Sequence, residues 1–259
     1  MILAIDMGNS NIVVGGLDDN KTYFEERITT DDRKTSLEYA ILLKNILEIH
    51  KVKKNDIEGS IMASVVPPLN APISSAVKKI TGKKPLLVGS GMKTGLNIKM
   101  DNPKTVGGDR IVAAVAANAK YEGPIIIADM GTATTLDVVD HDGNYIGGVI
   151  LPGVKVALNS LVSNTAQLPR ISFDVPKRAI GKNTIECMRN GIMLGNAAML
   201  DGLIDRMTAE LGESATLIAT GGMARFITPL CTHKITYDPD LLLRGLMILY
   251  RQNTETKDA

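Results

Sequence analysis

Three carboxylates in this chain sit in glycine-containing stretches that could do chemistry: Asp6 in Asp6-Met7-Gly8-Asn9-Ser10-Asn11, Asp109 in Gly107-Gly108-Asp109-Arg110, and Asp129 in Asp129-Met130-Gly131-Thr132-Ala133-Thr134. The first follows the apolar run Ile2-Leu3-Ala4-Ile5 and precedes Ile12-Val13-Val14, a pattern of two strands joined by a tight turn. Gly8 supplies the backbone freedom such a turn needs. The turn offers a carboxylate, two amides, a hydroxyl and several backbone N–H groups. That set suits a phosphate and the cation that travels with it. A buried strand ending in a capped turn has the same look, so this stretch alone decides nothing.

The Asp129 stretch repeats the plan. Ile125-Ile126-Ile127-Ala128 leads in, Leu136-Asp137-Val138-Val139 leads out, and His141-Asp142-Gly143-Asn144 marks a hairpin turn before Tyr145-Ile146-Gly147-Gly148-Val149-Ile150. Two copies half a chain apart imply a duplicated domain, and two such turns facing one another would form a phosphate clamp. Gly107-Gly108 would let the backbone come close to a ligand, with Asp109 and Arg110 opening the alanine-rich helix over 111–117. Asp109 is also a routine N-cap. Arg110 gains nothing from the helix dipole at that end, which leaves an anionic ligand as a reason for it. Further on, a strand over 215–219 runs into Thr220-Gly221-Gly222-Met223-Ala224. Bare backbone there could carry a flat ligand such as adenine, or it could be a plain strand-to-helix turn.

The elements that would hold these residues can be read in order. After the first hairpin, Tyr23 to Ile28 reads as a strand, and Ser36 caps a helix from Leu37 to about His50. Ile57 to Val66 is a strand closed by Pro67-Pro68, and Asn70 to Ile80 is a helix stopped by Gly82. Leu86-Leu87-Val88 is a short strand, giving β-β-β-α-β-α-β, a mixed sheet with helices. The stretch 95–108 reads as a poorly structured connector. A helix starts near Val154, 168–182 is irregular, and Asn183-Thr184 caps a long helix from Ile185 to about Leu211. Gly191, Gly195 and Gly202 suggest close helix packing. Leu241 to Tyr250 is the last helix, with 252–259 a polar, frayed tail. The domains drawn from the repeat are 1–115 and 116–259.

With no Trp and only 3% aromatic residues, the cores must rest on Ile, Leu, Val and Met. A formal net charge of +1 without a basic block argues against a nucleic-acid face, and Lys78-Lys79 and Lys83-Lys84 read as solvated helix ends. No apolar run reaches the ~18 residues of a membrane span, and Asp6 cuts the N-terminal apolar run short of a signal sequence. Cys187 and Cys231 have neither metal-site nor disulfide patterning, which reads as reduced thiols in a cytoplasmic protein. His50, His141 and His233 form no cluster in the sequence.

Taken together, Asp6-Met7-Gly8-Asn9-Ser10, Asn102-Pro103 before Gly107-Gly108-Asp109-Arg110, Asp129 to Thr134, Gly147-Gly148 with Pro152-Gly153, and Gly221-Gly222-Met223-Ala224 are specific in this order. Over almost its whole length the chain resembles the acetate kinase/hexokinase/Hsp70/actin-type ATPase superfamily, and more closely the type III pantothenate kinases. The resemblance implies an α/β fold of two duplicated actin-like (ribonuclease H-like) domains, each a mixed sheet with flanking helices. It implies ATP in a cleft between them, with Mg²⁺, and transfer of the γ-phosphoryl group to the 4′-hydroxyl of pantothenate, the first step of coenzyme A biosynthesis. By position, Asp6, Met7, Gly8, Asn9, Ser10, Asn11, Ile12 and Val13 resemble the first phosphate loop, with Asp6 meeting Mg²⁺ through the phosphates. Thr132 in the second loop matches a nucleotide contact, and Gly221-Gly222 matches the adenosine segment. Asp129 matches the ligand of a monovalent cation, K⁺ or NH₄⁺. Gly107, Gly108, Asp109 and Arg110 match the pantothenate-binding segment, with Asp109 the proton acceptor, and Thr184 matches a further substrate contact. The family is generally a homodimer, with substrate sites completed near the dimer interface.

Two departures stand out. Met100 replaces the Tyr that commonly lines the substrate pocket, exchanging a hydrogen bond for an adaptable apolar contact. Gly108 stands where the pattern usually has Ala. Two other functions fit the same frame: a nucleotide- or pantothenate-binding regulator that has lost catalysis, and a superfamily kinase acting on another alcohol. A decayed kinase should have lost one of Asp6, Asp109 or Asp129, and all three are present.

Overall fold

The computed structural model describes residues 1–254. In chain order the elements begin β1 (Ile2–Met7), β2 (Asn11–Leu17), β3 (Thr22–Thr29), α1 (Ser36–Ile49), β4 (Gly59–Ser64), α2 (Pro67–Thr81) and β5 (Leu86–Leu87). They continue with β6 (Asn97–Ile98), α3 (Gly108–Lys120), β7 (Ile125–Met130), β8 (Ala133–Val139), β9 (Asn144–Pro152), α4 (Val154–Ser163) and α5 (Thr184–Leu211). The chain closes with β10 (Thr216–Thr220), α6 (Ala224–Ile227), β11 (Thr236–Tyr237) and α7 (Leu241–Thr254).

These elements form two compact units. The first holds Met1–Leu96, Asn102–Ala116 and the helix from Leu241, and the second holds Asn97–Asp101 and Ala117–Asp240. In the first, five strands lie in the order β3-β2-β1-β4-β5. In the second, the order is β11-β10-β7-β8-β9-β6, so β9-β8-β7-β10-β11 repeats the first sheet strand for strand. The antiparallel hairpins β1–β2 and β7–β8 are equivalent, as are the parallel pairs β1–β4 and β7–β10. The duplication seen in the two Asp-Met-Gly stretches is therefore a duplication of the whole sheet.

Both faces of the first sheet are covered. Leu3, Ile5 and Met7 point into a core with Tyr39 and Leu43 of α1 and Leu69, Ile73 and Val77 of α2. The alternate residues Ile2 and Ala4 join Ile61 and Ala63 under Val112 of α3 and Leu243, Leu246 and Leu249 of α7. Period-two alternation along β1 thus feeds two cores, which is why the strand is apolar without interruption until Asp6. In the second unit, Ile126, Ala128, Met130, Leu136 and Val138 pack with Val154 of α4, Met193, Ala197 and Leu200 of α5, and Ala224 of α6.

Several sequence expectations change. The N-cap of α1 is Thr35 rather than Ser36, and it closes a capping box with Glu38. Pro67 and Pro68 open α2 instead of merely ending β4, because proline at the first helical turn forfeits no hydrogen bond. The 95–108 connector contains β6, which pairs with β9 through Asn97↔Asn144 and Ile98↔Tyr145, and a 3-10 turn at Pro103–Thr105. The closing helix, drawn from the sequence into the second domain, belongs to the first. Its apolar face packs on β1 and β4, with Leu243 against the bare backbone of Gly15. That helix runs to Thr254, beyond the expected onset of a frayed tail, and 255–259 lie outside the described residues. Among the described residues, a Cβ on Gly191 or Gly195 of α5 would meet nothing within 4 Å, so the close packing they suggested is not made there.

Candidate active site

The first loop spans Gly8–Asn11, between the register pair Met7↔Ile12. Gly8 donates its N–H to the Asn11 carbonyl at 3.0 Å, and a Cβ on Gly8 would meet that same oxygen at 3.1 Å. The far side of the loop is held by Thr30, just after β3. Its hydroxyl donates to the Gly8 carbonyl at 2.7 Å, and its backbone N–H donates to the Ser10 carbonyl at 3.1 Å. Asp6 is half-buried at the end of β1, while Asn9, Ser10 and Asn11 are exposed at the tip. Ile12 is buried and Val13 half-buried as the chain re-enters the sheet. Next to Thr30, hydrogen bonds from Arg33 and then Lys34 hold the Asp31 carboxyl well below the usual carboxylate range.

The second loop spans Gly131–Ala133, between Met130↔Thr134, one residue shorter than the first. It is fixed by glycines. The Gly153 N–H donates to the Thr132 carbonyl at 3.1 Å, and a Cβ on Gly153 would lie 2.3 Å from that oxygen and 2.5 Å from the Gly131 carbonyl. Gly221 has φ +88°, and a Cβ there would lie 2.5 Å from the Asp129 carboxylate and 2.7 Å from the Met130 backbone. Only glycine lets the strand β10 exit pass this close to Asp129. Gly222 follows Gly221 in the turn into α6, and Thr132 is exposed at the loop tip. Beside Asp129 on the same face, Thr135 is its register partner. The Thr135 hydroxyl donates to buried Asp137 at 3.2 Å, which also accepts from Tyr145 at 2.6 Å.

The third carboxylate sits in the first unit. Asp109 is the second residue of α3, which begins at Gly108, so it is not the N-cap. Its Oδ1 accepts the Arg110 backbone N–H at 2.8 Å and lies 2.5 Å from where a Gly107 Cβ would be. Any side chain at 107 would displace that carboxylate. Gly108 faces Val88 after β5, and Val65 lies near Gly107 while donating its N–H to the Met7 carbonyl at 3.0 Å. The Ser64–Val65 corner thus joins the first loop to the Asp109 segment. Asp109 and Arg110 are both half-buried.

Met100 and Thr184 lie in the second unit. Met100 follows β6, and its sulfur sits 3.3 Å from where a Cβ on Gly147 would be, with Gly147 at φ +136°. Thr184 is the exposed first residue of α5, after an Asn183 cap whose side chain accepts from the Glu186 N–H at 2.9 Å.

Comparison with known proteins settles the family. The sequence model described as Type III pantothenate kinase matches residues 2–206. The chain belongs to the type III pantothenate kinase family. A type III pantothenate kinase from Exiguobacterium sibiricum is 46% identical over 98% of this chain and 100% of its own length. Among solved structures, a putative Baf family transcriptional activator from Campylobacter jejuni superposes with TM-score 0.61 at 19% identity, covering 98% of this chain and 100% of its own. The Acidaminococcus fermentans (R)-2-hydroxyglutaryl-CoA dehydratase component A does so with TM-score 0.58 at 16% identity, covering 99% of each chain. At such identities the structures speak for fold alone, and the fold is that of duplicated actin-like domains.

Of the three carboxylates singled out in the sequence, the structure places Asp6 and Asp109 in the first unit and Asp129 in the second. Sequence reasoning missed Thr30, because its partner Gly8 lies 22 residues away and nothing local marks the contact. It also missed the corner at Ser64–Val65. The Ser64 hydroxyl accepts the Val66 N–H at 3.0 Å, a turn signal that the small polar residue before Val65-Val66-Pro67 could have given.

Proposed function

We propose that this chain transfers the γ-phosphoryl group of ATP to the 4′-hydroxyl of pantothenate, forming 4′-phosphopantothenate in the first step of coenzyme A biosynthesis. The observation that carries the reading is a family match over 2–206 in a chain that retains Asp6, Asp109 and Asp129. An inactive regulator would have no use for all three.

In this reading the residues Asp6, Met7, Gly8, Asn9, Ser10, Asn11, Ile12 and Val13 receive ATP phosphates, Thr132 contacts nucleotide and Gly221-Gly222 underlies the adenosine. Gly107, Gly108, Arg110, Met100 and Thr184 contact pantothenate. Phosphoryl transfer passes through a loose transition state and asks mainly for positioning and charge stabilisation. The 4′-oxygen forms a bond to the γ-phosphorus as the bond to the ADP oxygen breaks, and Asp109 takes the hydroxyl proton. General base assistance of this kind contributes ~10²–10⁴-fold. Arg110 orients the pantothenate and offsets charge on the transferring group.

The donors present fit the cations. Asp129 places an oxygen against bare backbone at Gly221, a cradle that a Cβ would fill, and suits K⁺ or NH₄⁺. A single carboxylate such as Asp6, working through phosphates, is how Mg²⁺ is commonly held. Among the described residues no three His, Cys, Asp or Glu gather into a metal cage, so either cation would draw its other ligands from phosphate, backbone and water. Bound Mg²⁺ would neutralise charge developing on the phosphates.

A homodimer is part of the proposal. Ile180 (82% exposed), Ile150 (65%), Val156, Leu161 and Ile185 are apolar and exposed on one unit, alongside the open Gly191 and Gly195. Two free cysteines accord with a cytoplasmic setting, and among the described residues no helix is long and apolar enough to cross a membrane. Incubation with ATP, Mg²⁺, K⁺ and a panel of alcohol acceptors tests the function. Turnover of pantothenate above the others is expected, and its absence would refute the reading. Loss of rate when Na⁺ replaces K⁺ is the expected sign of the Asp129 role.

A further inference from the structure

We infer that Thr30 is the positioning residue of the first phosphate loop, acting through two peptide planes rather than through the ligand. The inference rests on the proposed use of that loop for nucleotide phosphates. A trans peptide is planar, with its C=O and N–H directed oppositely. Thr30 takes the Gly8 carbonyl with its hydroxyl at 2.7 Å and the Ser10 carbonyl with its N–H at 3.1 Å. Both carbonyls therefore turn toward Thr30, and the N–H groups of the same two peptides, those of Asn9 and Asn11, turn the other way. Two N–H groups directed to one side of a tight turn make an anion-receiving concavity. A third bond, from the Gly8 N–H to the Asn11 carbonyl at 3.0 Å, closes the ring of constraints.

Thr30 is itself anchored from the core. The next residue, Asp31, donates its N–H to the Tyr39 hydroxyl at 3.1 Å and accepts that hydroxyl at its carbonyl at 2.8 Å. Tyr39 is fully buried on α1. The second loop repeats the backbone part of this arrangement: Gly153 follows the pair Ala133↔Pro152 as Thr30 follows Asn11↔Thr29, and its N–H takes the Thr132 carbonyl, directing the Ala133 N–H away. Glycine has no side chain to offer, so the hydroxyl bond to the Gly8 carbonyl is an addition that Thr30 makes in the first loop. The hydroxyl is thus a removable part, and its removal leaves the strand β3 ladder intact.

The test compares Thr30→Val, which keeps the β-branched shape, with Thr30→Ser, which keeps the hydroxyl. Thr30→Val should raise KM for ATP by about tenfold, the worth of a hydrogen bond of roughly 1.4 kcal/mol, while KM for pantothenate stays within about twofold. Thr30→Ser should restore the wild-type value. A Thr30→Val protein with unchanged KM for ATP, or with both KM values raised alike and a lowered Tm, would overturn the inference. A second measurement needs no variant. On addition of ADP and Mg²⁺ to the wild-type protein, the Asn9 and Asn11 amide resonances should shift, and nucleotide binding that leaves both unmoved would overturn it. A wild-type protein that binds no nucleotide would instead refute the kinase reading beneath it.

Discussion

Replacing Gly153 with alanine puts one methyl group under the second loop, proposed above to hold nucleotide. The added carbon would lie 2.3 Å from the Thr132 carbonyl oxygen and 2.5 Å from that of Gly131. Both are backbone atoms, so no rotamer change relieves the clash. Ordinary carbon contacts begin near 3.5 Å, which requires the loop to move by about 1 Å. Overpacking of this sort costs about 1–3 kcal/mol of stability. The larger effect falls on catalysis, since a displacement of about 1 Å in a positioning element costs roughly 10²-fold in rate. The loop also loses the 3.1 Å bond that sets the Thr132 peptide. Steady-state ADP release with saturating pantothenate, read beside a denaturant melt, separates the two effects. A Gly153→Ala protein that folds and turns over within about twofold of wild type would refute the claim that this loop's backbone holds phosphate, given the sensitivity cited above.

Other outcomes follow from the same geometry. Gly221→Ala should cost more than about 1–2 kcal/mol, because it adds a Cβ at φ +88° and 2.5 Å from Asp129, and should weaken K⁺-dependent thermal stabilisation. Gly131→Ala, whose Cβ meets neighbours only at 3.7 Å, should leave the melting temperature nearly unchanged. Thr35 N–H and then its hydroxyl lower the Glu38 pKa from 4.5. The capping box therefore contributes stability above that value and loses it as pH falls through the depressed one, and Glu38→Gln should flatten this part of an acid denaturation curve. Burial, then the charge of Asp201, pushes the Cys231 thiol up to about 12. Mass spectrometry after iodoacetamide at pH 8 should find exposed Cys187 labelled well ahead of Cys231.

What was legible in the sequence was local. Apolar runs broken at Asp6 and Asp129 fixed both hairpins, and the repeat of Asp-Met-Gly exposed the duplication that the matching sheet orders display. The glycine at 107 signalled close approach, and what approaches is the Asp109 carboxylate itself. What was not legible depended on distant partners. A two-residue strand such as β6 carries no periodicity and exists only because β9 offers an edge. The return of α7 to the first unit is decided by packing on β1 and β4, which no pattern within the helix encodes. The two loops look alike in sequence, yet their registers differ by one residue, because pairing is set by the strands on both sides of the turn. Thr30 lay hidden for the same reason.

In the proposed mechanism the glycine-containing turns receive the ATP phosphates, Asp6 and Asp129 hold the cations, and Asp109 receives the proton of the acceptor hydroxyl. The most direct measurement is kcat for pantothenate phosphorylation by Asp109→Asn, made beside the protein's affinity for ATP and its melting temperature. A fall of ~10²–10⁴-fold in kcat with ATP affinity and melting temperature preserved is the predicted result. A folded Asp109→Asn protein with nearly full kcat would contradict it.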